Sequence, residues 1–457
     1  MSLTNCTIHF AARTDRTVYV SSALMKSLQL TGTRPIVLKL GTRSVSVPIR
    51  IIKKTGNHLY IPTTIKNHLL IPRNGNCMAV VNGTREIQLG PLIGVLTNAS
   101  SPGSSNPFGS REVLLKQYIS PGVGKSFVFV FVPRDVNWSE ETVVGYFPAS
   151  GGWVRKTVPL PDAVYNRLSS RKAEKTAAME NFKERFVRRN IPIFNWSFFD
   201  KSDVYALLGN DKEAFKHVPE SHMSPTPEKV REMLEKHRFV YLKPTGGSLG
   251  IGIYRLTYHP KRGYFARFRS NGKNMLYRFN QFSGLMKLLQ TRSGRRLRNY
   301  VVQQGIRLIE IDSCPVDFRF HLNKNGQNQW VVAGIGAKMA GKGSVTTHVK
   351  NGGKVMTPEQ VLDRVFGSRA DAILQNAKNV AIKLAESIER NSRHLLGELG
   401  LDIGIDKNEQ IWMFEANSKP GRSIFKHPSL KSQGRSSLRL IYEHSLFLSR
   451  FRARREA

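Results

Sequence analysis

Apolar and polar positions alternate through much of the first ninety residues, and the pattern then repeats. Val18–Leu30 (VYVSSALMKSLQL) returns as Leu59–Ile71 (LYIPTTIKNHLLI), 41 residues later. Gly41-Thr42-Arg43 returns as Gly83-Thr84-Arg85, with one residue of slippage. Each copy reads as a strand, a short helix and two strands around a Gly-containing turn. Two such halves bury their apolar faces against each other, which predicts a small pseudo-two-fold β-barrel of double-psi type over residues 1–92. A barrel of that shape specifies no function by itself.

After a Ser-, Pro- and Gly-rich loop (Asn98 to Gly109) the rhythm becomes strand–helix–strand. Strands are expected at Ser126–Val132, Thr142–Phe147 and Ala163–Tyr165, and helices near Ser110–Tyr118 and over Ala173–Arg189. This predicts a small α/β domain over 93–205. From Lys212 onward come a helix, β-rich segments, a long helix over Pro358–Leu399, a closing hairpin and a basic tail (RFRARREA) read as a solvated helix end. A third unit spans 206–450, so the chain is expected to be a multidomain protein of α/β and α+β character.

Composition narrows the class. With 40% hydrophobic and 23% charged residues in a chain of 457, sizeable cores are affordable and disorder is excluded. The longest apolar run, Phe127–Val132, falls far short of the roughly 18 residues a membrane span needs, and MSLTNCTIHF lacks the basic segment and apolar core of a secretory signal. The three cysteines, Cys6, Cys77 and Cys314, show neither metal-type spacing nor an even count, which fits a reducing cytosol. The outlier is charge: 70 Lys+Arg against 33 Asp+Glu, a formal +37. Such a field attracts polyanions, whether nucleic acid, anionic cell-wall polymer or acidic protein, and equally suits an enzyme with an anionic substrate.

The candidate chemistry is concentrated near the C-terminus. Leu401–Gly421 (LDIGIDKNEQIWMFEANSKPG) reads as two apolar strands joined at Asn408-Glu409. A two-residue loop there sets Asp402 opposite Glu415, and alternation puts Asn417 on the face of Glu415. Two carboxylates and an amide oxygen make a hard-cation site suited to Mg2+; the plain alternative is a surface hairpin with solvated acids. Upstream, Lys243-Pro244 ends a strand before Thr245-Gly246-Gly247-Ser248-Leu249-Gly250-Ile251-Gly252. There, backbone N–H groups approach a phosphate chain, or simply make a hairpin turn. Lys212 follows Asp211 in a first helical turn, where it faces either an anion or solvent. Val301-Val302-Gln303-Gln304-Gly305-Ile306 is an apolar strand ending in amides, suited to pairing with an adenine edge. Asp317 and Arg319 share a face, for a salt bridge or for ribose and phosphate contacts. Gly334–Lys338 and Thr346–Gly353 add Lys338 and His348. Tyr264–Phe279 (YFARFRSNGKNMLYRF) interleaves arginines with aromatics as single-strand-binding surfaces do. A hairpin with one buried and one solvated face is the simpler reading.

Taken in order, these pieces resemble the ATP-grasp superfamily: DK on a helix, KP with a Gly-rich loop, an amide-ended hinge strand, DxR, NGG and D…ExN. Pro161–Leu168 (PDAVYNRL) and the helix leading to NIPIFNW resemble the α/β domain that precedes the catalytic region there. Phe194–Phe215 (FNWSFFDKSDVYALLGNDKEAF) and the overall layout are similar to the endospore coat-associated YheC/YheD-type proteins of Bacillus-like bacteria. The resemblance implies ATP and Mg2+ as cofactors. It puts Lys212 and Lys243 on the ATP phosphates, under a lid that includes Gly246, Gly247, Ser248 and Gly250. Gln303, Gln304 and Ile306 would line the adenine hinge, Asp317 would bind ribose with Arg319 beside it, and Asp402, Glu415 and Asn417 would hold magnesium. Lys243, Arg319 and Lys338 would take up developing charge while a carboxylate is converted to an acyl phosphate and captured by an amine. Three departures stand out: Lys338 where many members have Arg, His348 in place of an Asn, and Gly400 two residues before Asp402 where some ligases carry Arg. The expected partners are ATP, an anionic acceptor such as an acidic peptide or cell-wall component, and spore coat proteins. The expected location is the mother-cell cytoplasm or the coat. The rival expectations are a nucleotide-binding basic scaffold of the coat, and a polyanion or nucleic-acid binder.

Overall fold

The computed structural model describes residues 2–83, 85–99, 106–245, 252–293, 297–344, 347 and 352–452. In the N-terminal part the repeat is visible as structure. Strand Val18–Ser21, helix Ser22–Ser27 and strands Ile36–Leu40 and Arg43–Val47 are echoed by His58–Pro62, Thr63–Leu69, Gly75–Asn82 and Glu86–Gly90. A strand precedes each copy and runs parallel to the first strand of the other: Leu3–Ala11 beside His58–Pro62, and Ile49–Ile52 beside Val18–Ser21. Where the copies meet, Val18–Ser21 and His58–Pro62 are antiparallel. The eight strands form one barrel-like sheet. Ser21 ties the copies together: its Oγ accepts from the Leu24 N–H as a helix cap and from the His58 N–H, and donates to the Gly56 carbonyl. Cys6 and Cys77, far apart in sequence, face each other across two strands with their sulfurs 3.6 Å apart.

The next sheet is built around Leu92–Leu96, flanked in parallel by Phe127–Phe131 and Ala163–Asn166, with Ile193–Phe194 beyond. Alternation assigns its two faces. Phe127, Phe129 and Phe131 join a core continuous with the N-terminal sheet, while Val128 and Val130 pack toward the C-terminal helix Lys431–Leu448. The helices run over Glu112–Ile119 and Ala177–Val187. An antiparallel hairpin, Thr142–Ala149 with Gly152–Pro159, edges the sheet. Its second strand is mostly solvated, so its weak apolar pattern hid it from a reading of periodicity.

Two further sheets follow. The first is antiparallel, in the order Ser221–Met223, Tyr300–Gln304, Phe239–Pro244, Tyr254–His259, Gly263–Ser270, Lys273–Phe279. Helices Pro227–His237 and Phe282–Ser293 pack on one of its faces. The second runs Lys354–Met356, Trp330–Met339, Cys314–Lys324, Glu398–Ile405, Ile411–Asn417. The expected single helix over Pro358–Leu399 is instead two, Pro358–Phe366 and Ala370–Arg390. Gly367, at φ +56°, breaks it. Glu398 and Leu399 belong to the following strand, because an apolar run of that length satisfies helix and strand patterns alike. Among the described residues no helix is long and apolar enough to cross a membrane.

Candidate active site

Asp402 does stand opposite Glu415, and Leu401 opposite Ala416, but the turn is not the expected two-residue loop. The Asp406 N–H donates to the Gln410 carbonyl across three residues, with Glu409 at φ +66°. The Asp406 carboxylate favours this longer turn by accepting from the N–H groups of Asn408 and Gln410. A bulge at Phe414, where Ile403 pairs with Met413, then restores the register. Two one-residue irregularities cancel, and the acids meet.

Arg319 lies opposite Asp402, and Asp317 opposite Lys338. Arg319 holds Asp402 in a fork, Nε to Oδ1 at 2.7 Å and Nη2 to Oδ2 at 2.9 Å. Lys338 Nζ bridges the two acids, 3.0 Å from Asp402 Oδ1 and 2.9 Å from Asp317 Oδ1, and Thr347 donates to Asp317 Oδ2. Burial alone would raise the Asp402 carboxyl, but Arg319 and then Lys338 outweigh it and hold the group well below the usual carboxylate range. Burial likewise opposes the charge on Arg319 and Lys338. The carboxylates win there too, so both stay firmly protonated. These four charges balance. Glu415 and Asn417, on the same face, make no side-chain hydrogen bond or ion pair among the described residues, so the cluster presents one uncompensated carboxylate and one free amide.

Gly400 has a steric cause. A Cβ there would come within 2.5 Å of the Pro420 Cβ and 3.2 Å of the Arg319 Nη1. The Arg319 guanidinium, from the neighbouring strand, occupies the space beside this position.

From the first of these two sheets, Lys243 Nζ donates to Gln303 Oε1 at 2.5 Å and lies 5.6 Å from the ring centre of Phe414, the bulged neighbour of Glu415. Gln303 is buried and passes the contact on, its Nε2 donating to the Tyr205 hydroxyl at 2.6 Å. Gln304 is anchored to Glu220 twice: its N–H donates to the main-chain carbonyl, and its side-chain oxygen accepts from the N–H. Ile306 is half-buried just past the strand. Lys212 is exposed on the short helix Lys212–Phe215, capped by Asp211, and among the described residues no hydrogen bond or ion pair joins it to the cluster. Gly246, Gly247, Ser248, Gly250 and His348 lie outside the described residues.

A second charged group escaped sequence reasoning. Glu398, four residues before Asp402 on the same face, is fully buried. It accepts from the Tyr165 hydroxyl at 2.6 Å and Arg167 Nη1 at 3.2 Å, and faces His321 Nε2 at 2.8 Å and Arg422 Nη1 at 3.4 Å. Burial is the largest influence and pushes its carboxyl up. Arg167, His321 and Arg422 reverse that and bring it to about 2. Asn195 clamps the same spot, donating to the Glu398 and accepting from the Gly397 and Glu398 main chain. The only available signal was a lone acid inside an apolar run.

Facing lobes with carboxylates, cations and a lysine gathered between them suit a ligase-like protein of ATP-grasp type. A family model described as YheC/D-like ATP-grasp matches residues 190–448, and the chain belongs to that family. It is 32% identical over 411 residues to endospore coat-associated protein YheD of Bacillus subtilis (strain 168), covering 90% of each chain. To the endospore coat-associated protein YheC of the same organism it is 24% identical over 329 residues, 69% of this chain and 86% of the other. Among solved structures, the D-alanyl-alanine synthetase A of Vibrio cholerae O1 biovar eltor str. N16961 aligns with a TM-score of 0.44 at 11% identity, over 79% of this chain and 98% of that one.

Proposed function

We propose that this protein is an ATP- and Mg2+-dependent ligase that joins a carboxylate to an amine through an acyl phosphate, in association with the spore coat. The observation that carries the reading is the face shared by Asp402, Glu415 and Asn417, with Arg319 and Lys338 beside it and Lys243 reaching toward it from the other sheet. The donor set is all oxygen and contains an uncompensated carboxylate, which fits Mg2+ rather than a softer ion. Asp402, Glu415 and Asn417 would hold the metal. Bound there, it would neutralise phosphate oxygens as a Lewis acid. Lys212 and Lys243 would bind the ATP phosphates. Gln303, Gln304 and Ile306 would border the adenine, and Asp317 the ribose. Arg319 and Lys338 hold fixed positive charge where the transferred phosphoryl group develops negative charge, and Lys243 is braced by Gln303 for the same task. The acceptor is an anionic molecule, in keeping with the +37 charge.

Replacing Lys243 or Glu415 by Ala is expected to lower ADP release with a panel of acidic acceptors by about 10²–10³-fold each, with the thermal melting of the full chain unchanged. Wild-type ADP release by either variant would remove that residue from the mechanism. A second reading has its own support: both Asp402 oxygens are already engaged by Arg319 and Lys338, as suits a coat scaffold that binds nucleotide without turning it over. Tight Mg2+–nucleotide binding with no ADP release across the same panel would favour it.

A further inference from the structure

No Asp or Glu occurs between Glu235 and Glu310, a stretch that carries sixteen Lys and Arg. The fold collects part of that charge on one sheet face. Gln303, Tyr241, Arg255, Arg267 and Leu276 form a single cross-strand row over five strands, each directly opposite the next. Arg269 shares the face of Arg267 by alternation, and Arg278, opposite Phe265, shares it too. The opposite face, with Leu256, Ala266 and Phe268, is the one buried against the helices. The arginine face is therefore continuous with the Lys243–Gln303 pair of the proposed active site. Tyr241 marks the join. Its hydroxyl, raised chiefly by burial, also feels Arg255, Asp317 of the facing sheet, and Arg267.

Among the described residues no acid pairs with this face. Arg255, Arg267, Arg269 and Arg278 make no ion pair with any described residue, and Arg255 leaves a buried Nε without a hydrogen-bond partner while lying over the Phe239 ring at 4.7 Å. Like charges directly opposite one another, as Arg255 and Arg267 are, weaken a sheet. An anion lying across them would remove that penalty. The outermost strand, Lys273–Phe279, pairs only with Gly263–Ser270 among the described residues. The tight turn between them at Asn271-Gly272, with φ of +47° and +76°, makes Ser270–Lys273 the closing hydrogen-bonded pair. Alternation then turns the N–H groups of Asn274, Leu276 and Arg278 toward the open edge.

We propose that this arginine face and its open edge dock an extended, glutamate- or aspartate-rich polypeptide, which adds as a further strand and leads a carboxylate into the active site. The proposal rests on the ligase reading for the fate of that carboxylate, but not for the docking itself. A free strand edge recognises a peptide backbone, which a nucleic acid lacks. The rings that suggested base stacking are mostly spent on the other face: Phe268 stacks on Tyr277 and takes Arg292 above it, and Tyr264 packs on Tyr258 and Phe282. Of the hairpin's aromatics only Phe265 lies with the arginines.

The test uses the full chain without nucleotide and a fluorescent oligoglutamate of seven residues, the length of the edge strand, read by anisotropy at about 0.15 M salt. Oligoglutamate should bind and a glutamine peptide should not. R267E/R269E should weaken binding about tenfold or more, and L276P, which removes an edge-facing donor, severalfold. R267E/R269E should still bind an ATP analogue as wild type does, so that failure of docking and failure of the ligase reading are seen separately. Unchanged oligoglutamate affinity in R267E/R269E overturns the proposal. So does tighter binding of an oligothymidylate that the same substitution abolishes, which would make the face a nucleic-acid surface. Wild-type affinity in L276P overturns strand addition.

Discussion

Asp402 and Glu398 belong to one strand, point to one face and are each held by two cationic side chains, yet they do different work. Asp402 retains 16% side-chain exposure and has the unpaired Glu415 beside it. Glu398 has none, and Tyr165 and Arg167 of the α/β domain close over it. A carboxylate between cations is thus not diagnostic of chemistry. What separates the two is whether a ligand can reach the group and whether a neighbouring oxygen remains free. Where every lone pair is taken and water is excluded, the cluster fastens one domain to another. Where one acid is left without a partner among the described residues, it stays open to a ligand.

The sharpest break in this comparison is Glu398→Ala. It strands Arg167 and Arg422 in the interior and should cost about 3–5 kcal/mol in urea unfolding; a loss below about 1 kcal/mol would show that the cluster is not a fastener. Acid should act on the same group. Its folded value of about 2 lies below the ordinary 4.5, so its contribution is complete above pH 4.5 and disappears as the pH falls toward 2. That contribution is about 3 kcal/mol, and Glu398→Gln should flatten this part of the stability–pH curve. Asp402→Asn, which keeps the shape but removes the charge facing Arg319 and Lys338, should cost about 1–3 kcal/mol. Glu415→Gln should change stability by no more than about 0.5 kcal/mol while removing Mg2+-dependent ATP turnover. If Glu415→Gln unfolds the chain as readily as Glu398→Ala, the contrast between the two clusters fails. The smallest effect is expected for Lys338→Arg: charge is kept and a fork is gained, and ADP release should stay within about tenfold of wild type.

Much of this was legible in the chain. The 41-residue repeat, the strand at Phe127–Phe131 and the facing of Asp402 and Glu415 all follow from local pattern, which reports the face a residue occupies. The opposition of Asp402 and Glu415 was foreseen on the wrong turn, and survives because the Phe414 bulge offsets the extra loop residue. The order of motifs from Asp211-Lys212 to Asn417 pointed to the family. Periodicity cannot report what covers a face. Glu398 finds Tyr165 across 233 residues, Cys6 finds Cys77 across 71, and Arg319 reaches over Gly400 from another strand. Pro161–Leu168 resembles the α/β segment that precedes the catalytic region, but nothing in its pattern reports that it supplies Tyr165 and Arg167 to Glu398.

By itself, then, the sequence determined the repeat, the apolar faces and the facing of Asp402 and Glu415, because these depend on composition and on spacings of a few residues. The tertiary structure decided which acid is sealed and which stays open. It also decided which arginines lie unpaired along a free edge, since solvent access and partnership are set by distant segments brought together in the fold.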